Sequence, residues 1–405
     1  MTNPALRDRN FLVYLTGSTI SLHGLWIYRV ALGWLAWELT HSEFWVGIVA
    51  FTQFAPAVVF GPLFGILADR FDRRRASMIV NSLCTINMLT LATLTWLGHV
   101  DIAILTAMSL IQGALDGAHA PIRMTLVPNL VERSKLQSAI ASTSIAFNVS
   151  RFVGPAIAGL IIATLGVSAA FAINGISYLA YIFAIAVVKL RPTTRRATDA
   201  TGIWSEMLEG IRYVLRHRII RGLLITIAVA SVFGRGGLEM MPAFADKIFL
   251  RGASGLAVLT AAIGAGAIAS GLVLTRSTKW LNSRVIKFAV VATGVLIAAF
   301  GANDSFGLAI VIVVALGVIL SVCGVGSQIL IQHLVDEEVR GRVSSFWGMI
   351  AFGGTALGSL IIGTSADWFG LQHTVVVSGI LCVVIALLAP TGDAADRRLE
   401  QTQDN

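Results

Sequence analysis

A succession of long apolar segments, separated by short polar breaks, is the feature of this sequence that most constrains its fold. A helix needs about 20 apolar residues to cross a bilayer, because each residue adds about 1.5 Å of rise. About twelve segments of that length can be placed along the 405 residues. Hydrophobic residues make up 56% of the chain and charged residues 13%, which is far more apolar than a soluble domain. The sequence therefore predicts an all-α integral membrane protein.

The positive charges indicate the topology. Most of the 30 lysines and arginines fall in alternate breaks on one side of the predicted membrane. Only Lys247 and Arg251 fall on the other side, and Arg29, Arg151 and Arg235 lie inside predicted spans. By the positive-inside rule, both termini should be cytoplasmic in a multi-pass protein of a bacterial inner membrane. The net charge of +8 is thus a topology signal, and its dispersal over loops argues against a nucleic-acid partner.

The sequence lacks the signatures of metal binding, of nucleotide hydrolysis and of common enzyme active sites. Cys84, Cys323 and Cys382 lie in apolar runs without the spacing of metal ligands, so we expect core residues and no metal site. No lysine follows a glycine, so a Walker-type phosphate loop is absent. There is no H-E-x-x-H motif and no nucleophile with a nearby base. We expect neither an enzyme nor a bound cofactor.

The stretch GPLFGILADRFDRRR ends a long apolar run in acids and arginines. On a helix, Gly61, Gly65 and Asp69 would share one face, because they recur every four residues. Such a face allows close helix contact and ends in a carboxylate that could meet a helix N-terminus or an arginine. For the arginines alone, including Arg70 and Arg73, an ordinary topogenic cluster is the simpler interpretation.

Within that stretch, GILADRFDRR resembles the major facilitator superfamily signature between helices 2 and 3, of the form G-x-L-A-D-R-x-G-R-R. The sequence departs from the pattern at Asp72, where the family has glycine. The resemblance implies twelve transmembrane helices in two parallel six-helix repeats. It also implies a conformational gate, with Asp69 as a latch, formed by Gly65, Asp69, Arg70 and Arg73.

Two further stretches resemble elements of the same superfamily. Gln112 and Gly113 match the end of the helix-four motif R-x-x-Q-G, but Ser109 replaces its arginine, so the proton role of that arginine does not carry over. The stretch RFVGPAIAG resembles the G-P-x-x-G-G element of helix five in antiporter branches. Structural packing alone would also explain the glycines of that element. The residues of this helix-five packing motif are Arg151, Gly154, Pro155 and Gly159.

An internal repeat supports the same layout. One constant offset of about half the chain places Gly154 on Gly358 and Gly166 on Gly370, as expected for two parallel repeats. We therefore predict a six-helix bundle over residues 1–188, a cytoplasmic linker with an amphipathic helix over 189–217, a second six-helix bundle over 218–392 and a cytoplasmic tail over 393–405.

Polar residues inside spans are costly and therefore mark candidate pathways for substrate or protons. In the superfamily fold, helices 1, 4, 7 and 10 line the central cavity, and the intramembrane polar residues fall mainly on those helices. Arg29 could instead snorkel to the outer surface, and Arg235 could simply pair with Glu239 one turn away. The predicted pathway residues are Arg29, Gln112, Asp116, Arg235, Glu239 and Gln328.

The segments EGIRYVLRH and DEEVRGRVSS resemble a bacterial branch that includes siderophore exporters and macrolide efflux pumps. The resemblance implies a monomeric secondary transporter that moves a small organic molecule outward by alternating access, driven by a proton gradient. Asp116 and Glu239 are the candidate proton carriers. An uptake permease for an organic anion or vitamin, with Arg29 and Arg235 binding the negative charge, remains an alternative, as does a lipid flippase.

Replacement of the predicted latch carboxylate tests the gate. We expect Asp69→Asn to lower transport by about tenfold, because a latch stabilises one access state more than it stabilises the fold. Transport would be measured in cells and normalised to the amount of protein in the membrane. Wild-type transport by the variant at normal expression would contradict a latch at this position.

Overall fold

The computed structural model describes residues 4–70, 72–190, 211–276, 278, 280–335 and 337–389, which are largely helical and include no strand. The predicted tail over 393–405 and most of the predicted linker lie outside these residues. The described residues form twelve long helical segments, consistent with the predicted all-α fold. They are α1 Arg9–Thr40, α2 Glu43–Arg70, α3 Arg73–Trp96, α4 Ile102–Leu126, α5 Leu136–Leu165, α6 Val167–Val187, α7 Arg218–Ile248, α8 Gly252–Arg276, α9 Ser283–Gly301, α10 Phe306–Leu334, α11 Glu337–Phe369 and α12 Leu371–Leu388.

Ten segments among the described residues are long and apolar enough to cross a membrane. The two helices outside this set are α1 and α4, which are nevertheless long. They carry Arg29 on α1, and Gln112 and Asp116 on α4. Both helices outside the set therefore carry predicted pathway residues.

Polar N-caps begin several of the helices. Asp72 accepts a hydrogen bond from the backbone N–H of Arg75 at 2.8 Å and so caps α3. Asp101 caps α4 in the same way through the N–H of Ile104 at 2.8 Å. The backbone φ of Asp72 is −61°, which any L-residue adopts easily. The departure from the family glycine at this position is thus explained, because the residue serves as a helix cap and needs no special backbone conformation.

The glycines of the sequence repeat occupy equivalent positions. Gly166 joins α5 to α6 with φ of +83°, and Gly370 joins α11 to α12 with φ of +87°. Both values lie where glycine is favoured over other residues. A Cβ at Gly154 would lie 2.5 Å from Trp26 Cβ on α1, and one at Gly358 would overlap the backbone of Val232 on α7. In each repeat, the fifth helix therefore packs closely on the first.

Contacts divide the chain into two compact units. The first comprises residues 1–194 together with 242–264, and the second comprises 195–241 together with 265–405. Within the first unit, the end of α7 packs on α1 and α2. Lys247 Nζ donates to Glu43 Oε1 at 2.8 Å, and Trp37 Nε1 donates to Asp246 Oδ2 at 3.0 Å. Lys247 and Glu43, oppositely charged residues from separate breaks of the sequence, are thus paired.

The close contact at Gly154 leads to a stability prediction. Gly154→Leu should lower the yield of folded protein or block transport, because the side chain would displace Trp26 at a cost of about 1–3 kcal/mol. Thermal unfolding in detergent and transport in cells measure the two effects.

Gly271→Leu on α8 is the matched control, since an added Cβ there meets no atom within 4 Å. It should keep normal stability and transport. Equal behaviour of the two leucine variants would show that the face of α5 at Gly154 is not tightly packed.

Candidate functional site

A buried amide on α4 connects three helices of the first unit. Gln112 is fully buried. Its Oε1 accepts a hydrogen bond from Asn87 Nδ2 on α3 at 3.1 Å. Its Nε2 donates to the Tyr178 hydroxyl on α6 at 2.9 Å and to Asp116 Oδ1 at 3.0 Å. Because an unsatisfied amide in an apolar environment costs several kcal/mol, these partners fix how α3, α4 and α6 pack.

Asp116 is held by this amide through one oxygen only. Its Oδ2 is shielded from solvent and has no hydrogen-bond partner in the described part of the chain. The guanidinium groups of Arg29 and Arg123 both act on the carboxylate electrostatically. The arrangement leaves Oδ2 able to take up a proton, while Oδ1 stays anchored.

Arg29 packs against aromatic rings. Its guanidinium carbon lies 4.5 Å from the centroid of Trp26 and 4.9 Å from that of Phe54. Both distances are in the range of cation–π contacts, which contribute about 0.5–1 kcal/mol each at exposed sites and more when desolvated. These contacts hold the charged group within the first unit. The pathway role of Arg29 stays a prediction.

Two more arginines belong to the same group of side chains. The guanidinium carbon of Arg151 lies 5.7 Å from the centroid of the Trp26 ring, and that of Arg123 lies 5.6 Å from the centroid of the Phe147 ring. The Trp26 and Phe147 rings themselves meet edge to face at 6.1 Å. We call Trp26, Arg29, Arg123, Phe147 and Arg151 the arginine–aromatic cluster. Its chemistry suits a ligand with negative charge and apolar or aromatic surface.

Ser109, which stands where the family motif has arginine, joins α4 to α2. Its hydroxyl is fully buried and donates to the Val49 carbonyl at 3.2 Å, and it accepts from Thr52 Oγ1 at 3.2 Å. One turn further along α4, a Cβ at Gly113 would lie 2.6 Å from the Gln53 carbonyl oxygen. The close approach of α2 leaves space for a serine here and not for an arginine.

The helix-five packing motif contacts two neighbouring helices in the first unit. Gly154 faces α1, as described above, and Gly159 lies against Ala257 of α8. The Pro155 carbonyl accepts a hydrogen bond from Thr260 Oγ1 at 3.1 Å. Packing contacts therefore account for these three motif residues, whereas Arg151 belongs to the arginine–aromatic cluster.

The predicted pathway residues of the second unit lie at irregular turns. Arg235 ends a π-helical turn of α7, Ala230–Arg235, and Glu239 lies one turn further on. Gln328 on α10 is the second residue after another π-helical turn, Val322–Gly326. All three side chains are half-buried. Such turns are frequent at functional sites. Pairing of Arg235 with Glu239 stays a prediction.

The predicted gate is only partly described. Helix α2 continues through Arg70, but the side chains of Gly65, Asp69 and Arg70 lie outside the described part of the structure. Arg73 is the first residue of α3. The neighbouring Arg74 guanidinium donates to the Val188 carbonyl at the end of α6. The latch role of Asp69 therefore stays a prediction.

Asn87 and Tyr178 are the site residues that sequence reasoning missed. Each is a single polar side chain in an apolar span, and no motif marks either of them. A weak signal exists on α3, where Asn81 and Thr85 lie one turn apart with Asn87 nearby, and on α6, where Asn174 lies one turn before Tyr178. Polar residues at helical spacing inside a span would have pointed to these faces.

Comparison with known proteins agrees with this architecture. Residues 2–399 match the family described as transmembrane secretion effectors. The staphyloferrin A transporter of Staphylococcus aureus is 26% identical, covering 93% of this chain and 94% of that protein. The multidrug efflux pump Tap of Mycolicibacterium fortuitum is 25% identical, covering 89% and 90%. Macrolide efflux protein A of Streptococcus pyogenes is 22% identical, covering 94% and 95%.

Solved structures show the same fold. The nucleoside transporter NupG superposes with a TM-score of 0.72 at 14% identity, covering 94% of this chain and 98% of that one. A bacterial homologue of the human lysosomal transporter Spinster, inward-facing and occupied, superposes with a TM-score of 0.73 at 14% identity, covering 96% and 97%. The chain is therefore a multi-pass membrane transporter and belongs to the major facilitator superfamily, in the family of transmembrane secretion effectors.

Proposed function

We propose that this transporter exports a small organic molecule across a bacterial cytoplasmic membrane by alternating access, and that a proton gradient drives it. Support for the direction comes from two similar proteins whose names describe efflux, the multidrug pump Tap and macrolide efflux protein A. Support for proton coupling comes from the surroundings of Asp116, whose carboxylate is shielded from solvent and lies in the field of two arginines. This observation carries the proposal.

Asp116 combines the properties that a proton carrier needs. A shielded carboxylate resists ionisation, whereas neighbouring positive charge favours it. Here both influences are present, since Oδ2 is shielded and Arg29 and Arg123 act on the carboxylate. A change in access or in the position of either arginine would therefore shift the balance between the protonated and ionised forms. Coupling requires this dependence of proton affinity on conformational state.

Gln112 keeps the carboxylate oriented in both forms. The Nε2 group donates to Oδ1, and this hydrogen bond can persist whether or not Oδ2 carries a proton. Protonation therefore changes the charge of the site without releasing the side chain. In the ionised form, Oδ2 can interact with an arginine. In the protonated form, that arginine becomes available to a substrate anion.

The arginine–aromatic cluster provides a surface for the substrate. Guanidinium groups bind carboxylates and related anions in a fixed geometry, and the Trp26 and Phe147 rings offer apolar area. The same observation favours a second candidate function, uptake of an organic anion, because the three arginines suit a negatively charged substrate in either direction of transport. Flux measurements in oriented vesicles would distinguish the two.

Asp116→Asn separates coupling from binding. We expect the variant to lose accumulation driven by an imposed pH gradient, because the amide cannot carry the proton. Substrate binding in detergent and downhill exchange in vesicles should stay within about threefold of wild type, since Asn can still accept the Gln112 hydrogen bond.

The matched control for that experiment is Asp101→Asn, at the start of the same helix. Asn caps helices about as well as Asp, so this variant should pump normally. If Asp116→Asn pumps as well as wild type, the proton site lies elsewhere or another ion is coupled.

Glu239→Gln tests the second predicted acid. In the proposed function, the Glu239 carboxylate orients Arg235, which lies one turn away. Replacing Glu239 with neutral glutamine should therefore weaken substrate binding by about tenfold, as expected for loss of one charge-assisted contact. Coupling to the pH gradient should persist. Equilibrium binding in detergent measures the effect.

Glu38→Gln, at an exposed position on α1, is the control and should bind as wild type does. A Glu239→Gln variant that binds substrate normally but fails to pump would reverse the roles assigned to the two acids.

A further inference from the structure

The segment of residues 242–264, which ends α7 and begins α8, packs on helices of the first half of the chain. It belongs to the first unit, whereas the rest of α7 and α8 belongs to the second. A Cβ added at Gly33 of α1 would lie 3.6 Å from Pro242, and Gly159 of α5 lies against Ala257. The chain leaves the first unit at both ends of this segment, so its contacts are a place where motion of α7 and α8 would be resisted.

An ion pair between Glu43 and Lys247 joins the start of α2 to this segment. Lys247 Nζ lies 2.8 Å from Glu43 Oε1. The pair is asymmetric, because the Glu43 side chain is 3% exposed and the Lys247 side chain is 50% exposed. Ion pairs between exposed side chains contribute little to stability. A carboxylate that has lost its water depends on its partner for compensation, so the packing around Glu43 requires Lys247.

The residue before Lys247 makes a second polar contact with the first half of the chain. Asp246 Oδ2 accepts a hydrogen bond from Trp37 Nε1 on α1 at 3.0 Å, and the Trp37 side chain is buried. His41 Nδ1 lies 3.9 Å from the same oxygen. Two consecutive charged residues of α7 therefore hold the end of α1 and the start of α2.

Glu43 and Lys247 occupy equivalent positions of the internal repeat. They are 204 residues apart, which is the offset that places Gly154 on Gly358. Parallel repeats of a transporter are related by an axis along the membrane normal, and the substrate binds at the interface between the repeats. Two equivalent residues can touch each other only if both lie close to that axis. In the proposed function, the pair therefore lies at one mouth of the substrate pathway.

We propose that the Glu43–Lys247 pair is an outer lock, which closes the transporter at the end opposite the N-terminus. The lock is intact in the present structure and breaks when this end opens. Opening lets water reach the Glu43 carboxylate, which compensates for the loss of Lys247. The proposal rests on the alternating access of the proposed function, but not on the direction of transport or on its coupling.

The unequal burial of the two partners predicts unequal effects of their removal. Lys247→Met leaves a buried charge without compensation in the closed state, so the open population should rise by about tenfold. Glu43→Gln keeps the side-chain shape and removes the buried charge, so the rise should be about threefold. In the double variant no charge stays buried, and the rise should not exceed that of Glu43→Gln. An ordinary surface pair would give equally small effects in both single variants.

Pulsed electron paramagnetic resonance measures the open population. Spin labels attached to Glu38→Cys on α1 and Ser254→Cys on α8, both at exposed positions, report the distance across this end in the full-length protein in lipid vesicles. The three native cysteines are buried, so they should not take up the label. We expect mainly a short distance in wild type and a larger population of a longer distance in Lys247→Met. Lys189→Met, at an exposed lysine after α6, is the control and should match wild type.

Covalent closure tests whether this end must open during transport. The double variant Glu43→Cys, Lys247→Cys would be treated with a short bifunctional methanethiosulfonate, which links the two thiols through disulfides. Transport into or out of vesicles should be lost after linking and should return after reduction. Each single cysteine variant, treated in the same way, should keep the transport that it has without the reagent.

The outer lock is excluded if Lys247→Met gives the distances of wild type, or if the double variant without charges opens as far as Lys247→Met does. It is also excluded if the linked protein transports normally, and that result would contradict alternating access at this end as well. If linking blocks transport but Lys247→Met leaves the distances unchanged, alternating access stands and this ion pair is not its lock. Gel filtration shows whether each variant has folded.

Discussion

The hydrogen bonds of one buried amide, that of Gln112, organise the polar interior of the first unit. In a membrane protein, a buried polar side chain has no water to replace a missing partner. Gln112 meets this constraint through Asn87, Tyr178 and Asp116, which lie on α3, α6 and α4. Any shift of one helix against the others would break at least one of these bonds. The constraint therefore fixes the packing of the helices and the orientation of the acid together.

Close packing of α5 on α1 through small residues also positions the arginine–aromatic cluster. Gly154 lets α5 approach α1 at Trp26. The hydroxyl of Ser150, one turn earlier on α5, lies 3.0 Å from His23 Nδ1. These contacts set the position of the Trp26 ring, against which both Arg29 and Arg151 lie. On the proposed function, the substrate surface thus depends on backbone contacts that a larger side chain at Gly154 would disturb.

Much of this architecture follows from sequence because it rests on local rules. Apolar segments of membrane length predict the helices, and a constant offset between glycines predicts the paired junctions at Gly166 and Gly370, whose positive φ values confirm the equivalence. The contact between Gln112 and Asp116 can also be predicted from sequence, since the residues lie one turn apart on one helix.

Other features depend on how separate helices meet, and sequence alone does not show them. Asn87 and Tyr178 become partners of Gln112 only when α3, α4 and α6 pack together, and neither belongs to a motif. The serine that replaces the family arginine at Ser109 is explained only by the nearness of α2. The π-helical turn that ends at Arg235 and the one that precedes Gln328 have no signature in the sequence. The capping role of Asp72 does not follow from the family pattern, which has glycine at this position.

In the proposed mechanism, the Asp116 carboxyl takes up and releases a proton while Gln112 holds it. Infrared difference spectroscopy of the reconstituted protein, recorded as the pH is lowered, tests this most directly. We expect a protonated-carboxyl band that is absent from Asp116→Asn and shifted in Gln112→Met, which keeps the side-chain length but removes the donor to Oδ1. A spectrum that is the same in wild type and Asp116→Asn, or a band that Gln112→Met leaves in place, would contradict these roles of Asp116 and Gln112.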